Sequence, residues 1–110
     1  MTVTQSQSKV PASINNVAVG RYLNDGTAAE FTITTGFKPR YVQVVNVGAT
    51  GLAKLEWFEG MTDGTALLTI TNGTMSVSTD GIEILSNGFT VEINTDVNIT
   101  NEQLSWMAIG

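Results

Sequence analysis

The stretch Gly36–Met61, GFKPRYVQVVNVGATGLAKLEWFEGM, decides how the rest of the chain is read. It holds the densest apolar alternation, one of the two tryptophans and three of the five basic residues. Arg40 to Val47 (RYVQVVNV) repeats with a period of two. Val42 and Val44 share one face, and Tyr41, Gln43, Val45 and Val47 share the other. Apolar residues on both faces predict a strand covered on two sides, or one whose outer face meets a partner. Gly48 to Gly51 reads as a turn. Leu52 to Phe58 (LAKLEWF) returns as a second strand, setting Ala53, Leu55 and Trp57 against Lys54, Glu56 and Phe58. Leu, Ala, Lys and Glu also favour helix, but the flanking glycines and the short run decide for a strand.

Outward from this hairpin the same signals repeat. Ile14 to Tyr22 (INNVAVGRY) alternates, with Val17 and Val19 on one side, before the turn signal Asn24-Asp25-Gly26. Glu30 to Thr35 (EFTITT) is a β-branched strand with Phe31 and Ile33 on its buried face, and Lys38-Pro39 favours extended backbone. Beyond the hairpin, Thr65–Thr71, Thr74–Ser78, Gly81–Leu85 and Phe89–Asn94 read as short strands. Asn72-Gly73, Asp80-Gly81 and Asn87-Gly88 punctuate them as a meander of tight hairpins would require. Asp96 to Glu102 is a polar loop, and Gln103 to Ile109 (QLSWMAI) is a final strand.

The expectation is an all-β domain over residues 14–110, a β-sandwich or jelly-roll-like fold of about eight or nine short antiparallel strands. Phe31, Val42, Val44, Trp57 and Trp106 are its expected core anchors, since large aromatics dominate the area a core can bury. Residues 1–13, MTVTQSQSKVPAS, are small, polar and interrupted by Pro11. They read either as a frayed terminus or as an extended N-terminal arm docked on a neighbouring subunit. On the second reading Val3, Gln5, Lys9, Val10 and Pro11 are partner-binding residues, joined by Lys38, Arg40 and Tyr41 from the hairpin.

Composition narrows function. The 110 residues suit one domain with its own core. No cysteine is present, so neither disulfides nor thiolate chemistry are available. No histidine is present either, which removes the usual general base and the commonest metal ligand. Ten acidic against five basic residues give a net charge of −5, the wrong sign for binding phosphate backbones or anionic membranes. Only 14% of residues are charged; Thr, Ser, Asn and Gly fill the polar positions, as on faces that other subunits cover. The start lacks the basic and apolar regions of a signal peptide, and no apolar run nears the ~20 residues a membrane helix needs. The chain is expected to be made in the cytoplasm and used without secretion or insertion.

Several constellations could carry chemistry. Ser-His-Asp and Cys-His sets cannot exist here, and no motif singles out a Ser-Lys pair. Glu56 and Glu59 flank Trp57-Phe58 in the manner of a glycosidase's paired carboxylates, but alternation turns Glu56 to solvent and leaves Glu59 at a loop edge. Asn94, Asp96 and Asn98 alternate like the first ligands of a calcium loop, with Glu102 further on. Ile99 stands where that loop needs glycine and Ser105 where it needs glutamate, so an Asx-rich turn explains the run as well. Asn72-Gly-Thr74 and Asn98-Ile-Thr100 match the glycosylation pattern, which has no use without secretion. Trp57, Phe58 and Tyr41 could form a sugar-stacking platform, although Trp57 belongs in the core by its alternation. Lys38, Arg40 and Lys54 could make a small basic spot across the hairpin. No catalytic residue, cofactor or metal is expected.

The segments TGFKPRYVQVVNV (35–47), KLEWFEGM (54–61), DGTA (63–66) and LSWMAIG (104–110) resemble a family of small virion-associated proteins of tailed bacteriophages. The likeness runs over about residues 24–110. It implies a non-enzymatic structural protein of the virion: a capsid decoration (cement) protein on the outer capsid surface, or a tail or tail-fibre component. The implied partners are the major capsid protein and further copies of the chain, as a homotrimer. A carbohydrate-binding β-sandwich module is the alternative from another class.

Overall fold

The computed structural model describes residues 16–23, 29–48 and 52–110, and is all-β. Nine strands form among them: β1 (Val17–Leu23), β2 (Phe31–Thr34), β3 (Tyr41–Asn46), β4 (Lys54–Phe58), β5 (Ala66–Thr69), β6 (Met75–Ser78), β7 (Ile82–Leu85), β8 (Gly88–Val91) and β9 (Gln103–Ile109). Every pairing is antiparallel. A six-stranded sheet has the order β1-β9-β3-β4-β5-β6, and a three-stranded sheet the order β2-β8-β7. The unequal sheets stack as a β-sandwich, in place of the equal halves of a jelly roll.

The organising hairpin is β3 and β4, registered Val42 opposite Trp57 and Val44 opposite Leu55. The last strand then slots between the first and third: Trp106 lies between Gly20 of β1 and Val44 of β3. These registers put Val42, Val44, Leu55, Trp57, Leu104 and Ala108 on one face of the large sheet, all buried. Phe31 and Ile33 of β2, Phe89 and Val91 of β8, and Ile82 of β7 meet them from the small sheet. Tyr22 stacks on Phe31 at a ring separation of 3.8 Å. Phe89 meets Trp106 edge-on at 5.5 Å, tying the sheets together.

Four of the five expected anchors (Phe31, Val42, Val44 and Trp57) are buried. Trp106 is a correction: it is partly buried and packs against the core from its margin, while Phe89 is the largest fully buried side chain. The indole of Trp106 spreads over Gly20, where a Cβ would come within 2.6 Å of its ring. Small residues in β1 therefore face the core, and the valines face out. The expected meander is also corrected. Asn72-Gly73 turns the β5–β6 hairpin, with Gly73 at φ 87°, and Ser86-Asn87 turns β7 into β8. Asp80-Gly81 turns no hairpin; it carries the chain from the large sheet into the small one.

The 94–102 loop is a packed element held by buried asparagines. Asn46 donates to the Val97 carbonyl at 2.9 Å and accepts from the Gly48 N–H at 2.7 Å. Asn98 donates to the Ala29 carbonyl at 2.7 Å, and Asn94 to the Asp80 carbonyl at 2.9 Å. Buried amides paired in this way fix a loop in one arrangement.

Candidate functional site

One face of the six-stranded sheet lines the core. The other has no described element over it. Strand registers arrange it in rows. One row runs Val19, Met107, Gln43, Glu56, Leu67 and Val77 from β1 to β6. The next runs Val17, Ile109, Tyr41 and Phe58. The centre is polar and the margins are apolar: Val19 is 71% exposed on β1, and Val77 is 64% exposed on β6. Phe58, Met75 and Leu23 are exposed on the same face. Scattered apolar residues are ordinary on a surface; the unbroken row Val17, Ile109, Tyr41 and Phe58 on one uncovered sheet marks a contact surface.

The polar centre is internally paired. Tyr41 donates its hydroxyl to Glu56 at 2.7 Å, and Lys54 reaches the same carboxylate at 3.5 Å. Glu56 therefore does not face open solvent as its alternation suggested; its side chain is only 14% exposed. Glu59 takes the Arg40 guanidinium at 3.2 Å at the loop edge. The basic spot is thus largely spoken for, with Arg40 and Lys54 ion-paired and Lys38 exposed beside buried Pro39. Tyr41 and Phe58 form a tilted pair at 5.0 Å, but Trp57 points into the core on the opposite face. The three-ring sugar platform does not assemble.

Burial first, and then the hydrogen bond and charge of Glu56, push the Tyr41 hydroxyl from 10.0 up to about 12. A pKa raised on folding means that the neutral phenol favours the folded state. That contribution is whole below pH 10 and is lost as pH rises towards 12. In a Tyr22→Phe variant, Tyr41 is the remaining tyrosine, and its phenolate absorbance is expected to rise near pH 12. A midpoint near 10 would show that the Tyr41 hydroxyl is neither buried nor bonded to Glu56.

The other sequence candidates resolve as structure. Asn94 accepts the Asp96 N–H at 3.0 Å, an Asx turn, and its amide is spent on Ser78 and Asp80. Among the described residues no group of three or more His, Cys, Asp or Glu could hold a metal ion, and no helix is long and apolar enough to cross a membrane. Val3, Gln5, Lys9, Val10 and Pro11, with the rest of the expected arm, lie outside the described residues.

Of the expected partner residues, the uncovered face takes in Tyr41, with Arg40 at its border. Sequence reasoning missed the apolar margins on β1 and β6. The available signal was the pairing of valines with Ala18 and Gly20 along VAVGRYL, small residues that can face a core only where something large lies over them. Comparison with protein families, curated proteins and solved structures finds no match to this chain.

Proposed function

We propose that this chain is a non-catalytic structural protein of a tailed-bacteriophage virion, a capsid decoration protein that bridges neighbouring major capsid subunits on the outer shell. The observation that carries the reading is the uncovered face of the six-stranded sheet. Strands at ~4.8 Å spacing and ~3.3 Å per residue give such a face a plan area on the order of 500 Å2. A standard protein contact buries ~800 Å2 per partner, so this face with its flanking loops supplies most of one.

Its chemistry favours a protein partner. An apolar margin around paired polar groups suits a surface that is itself mixed, whereas lipid would take the Lys54–Glu56 charges and the Gln43 amide out of water. A net charge of −5 speaks against nucleic acid. The four resembling segments supply the particle; three of them build β3, β4 and β9, which form the middle of the face.

An electron-microscopy map of the intact particle tests the proposal. Copies are expected over junctions between capsid subunits, large sheet inward. Density on the tail or fibres would replace decoration by the tail reading, and absence from the particle would end both.

A further inference from the structure

Edge strands expose unpaired N–H and C=O groups, and proteins blunt them with short length, bulges, prolines or charges. Among the described residues, three of the four sheet edges are blunt: β2, β6 and β7 have four residues each. The fourth, β1, has seven residues in unbroken register with β9 and no proline. Arg21 is its single charged residue.

The direction of its free groups follows from one hydrogen bond. Gly110 donates to the Asn16 carbonyl at 2.8 Å. In an antiparallel ladder bonded pairs recur every second residue, so the even-numbered residues of β1 bond to β9. Val17, Val19, Arg21 and Leu23 aim their N–H and C=O away from the sheet. The side chains of Val17, Val19 and Leu23 are also the exposed apolar margin, at 56%, 71% and 56%. Backbone and side chains both lack a neighbour along one line, among the described residues.

We propose that this edge pairs with the same edge of a second copy, antiparallel about a twofold axis through Gly20. In that register Val19 lies opposite Arg21 of the second copy, and Val17 opposite its Leu23. Four donors and four acceptors per chain then give about eight hydrogen bonds. The neighbouring registers are worse. One sets Arg21 against Arg21, like charges face to face; the other sets Val19 against Val19 and leaves Leu23 unpaired. The twofold register uses every free group.

Pairing joins the two large sheets into one of twelve strands. It moves the most exposed apolar line from a rim to the middle of the joined face. This is a closed twofold dimer, in place of the trimer that the resemblance implies. It stands apart from the capsid reading: a dimer that ignores capsids defeats only that reading, and a monomer that coats them defeats only this one.

Sedimentation velocity of the full chain across a concentration series tests it. The wild type is expected at twice the 11.7 kDa chain mass. Val19→Lys, which places an ammonium on the edge without touching the core, is expected at the monomer mass with the β-sheet circular-dichroism spectrum of the wild type and a cooperative melt that no longer depends on concentration. Val77→Lys, at the opposite edge of the same sheet, is expected to remain dimeric. Amide exchange adds an independent readout: Val19 and Arg21 are expected to slow with concentration in the wild type and not in Val19→Lys. A monomeric or trimeric wild type, or a dimer that survives Val19→Lys with both amides unprotected, overturns the pairing.

Discussion

Gly88→Ala is expected to cost the fold ~3 kcal/mol or more, the range of severe backbone and packing clashes. For a domain of this size that lowers the thermal midpoint by ~12 °C or more. The reason is space. Gly88 begins β8, the central strand of the small sheet, and sits between Thr34 of β2 and Leu85 of β7. A Cβ built there overlaps the carbonyl oxygen of Ile33 and meets the Thr34 Cα at 3.1 Å. Both neighbours are backbone, so no rotamer change relieves them. Relief requires β2 to move off β8, breaking the bonds from the Thr35 and Gly36 N–H groups to the Asn87 carbonyl at 2.9 and 3.0 Å. Phe31 leaves the core with the strand. Gly73→Ala is the matched control: a Cβ there meets nothing within 4 Å, and its φ of 87° carries a conformational cost alone, about 1 kcal/mol. Circular-dichroism melts of the two variants decide the point. A Gly88→Ala midpoint within a few degrees of wild type would mean that the two strands are not this close.

Much of the fold was legible in the sequence because alternation is local. RYVQVVNV and LAKLEWF declared both their strands and their faces, and QLSWMAI became β9 with its predicted bounds. What stayed hidden depends on residues far apart. Nothing near Asp80-Gly81 says that the chain leaves one sheet for the other there, since an Asx-Gly pair serves a hairpin and a crossover alike. Gly88 read as half of a turn, yet its need for glycine comes from Ile33, across the β2–β8 pair. Val17 and Val19 share a side as expected, but which side was decided by Trp106, on the strand that slots in last. The burial of Asn46 at the end of β3, and of Asn94 and Asn98 beyond β8, stayed hidden because they bond backbone groups distant in sequence.

The candidate face was half legible. Apolar residues on both sides of β3 raised the idea of a covered outer face, and Tyr41 fell on it. The margins escaped because exposed valines look like core valines until the register is known.

On the proposed decoration role, placing lysines at Phe58 and Val77 together is expected to remove binding to capsids. Both side chains are exposed on the uncovered face, at 46% and 64%, so the core is left intact. Each large apolar side chain buried in a contact contributes ~1.5–3 kcal/mol, and an unpaired ammonium in its place adds a desolvation cost. The sum corresponds to a loss of at least about a hundredfold in affinity. Pelleting the wild type and Phe58→Lys/Val77→Lys with capsids stripped of this protein is the direct measurement. The wild type is expected in the pellet, and the variant, folded with an unchanged melting temperature, in the supernatant. Equal recovery of both with the capsids would contradict a contact made through this face.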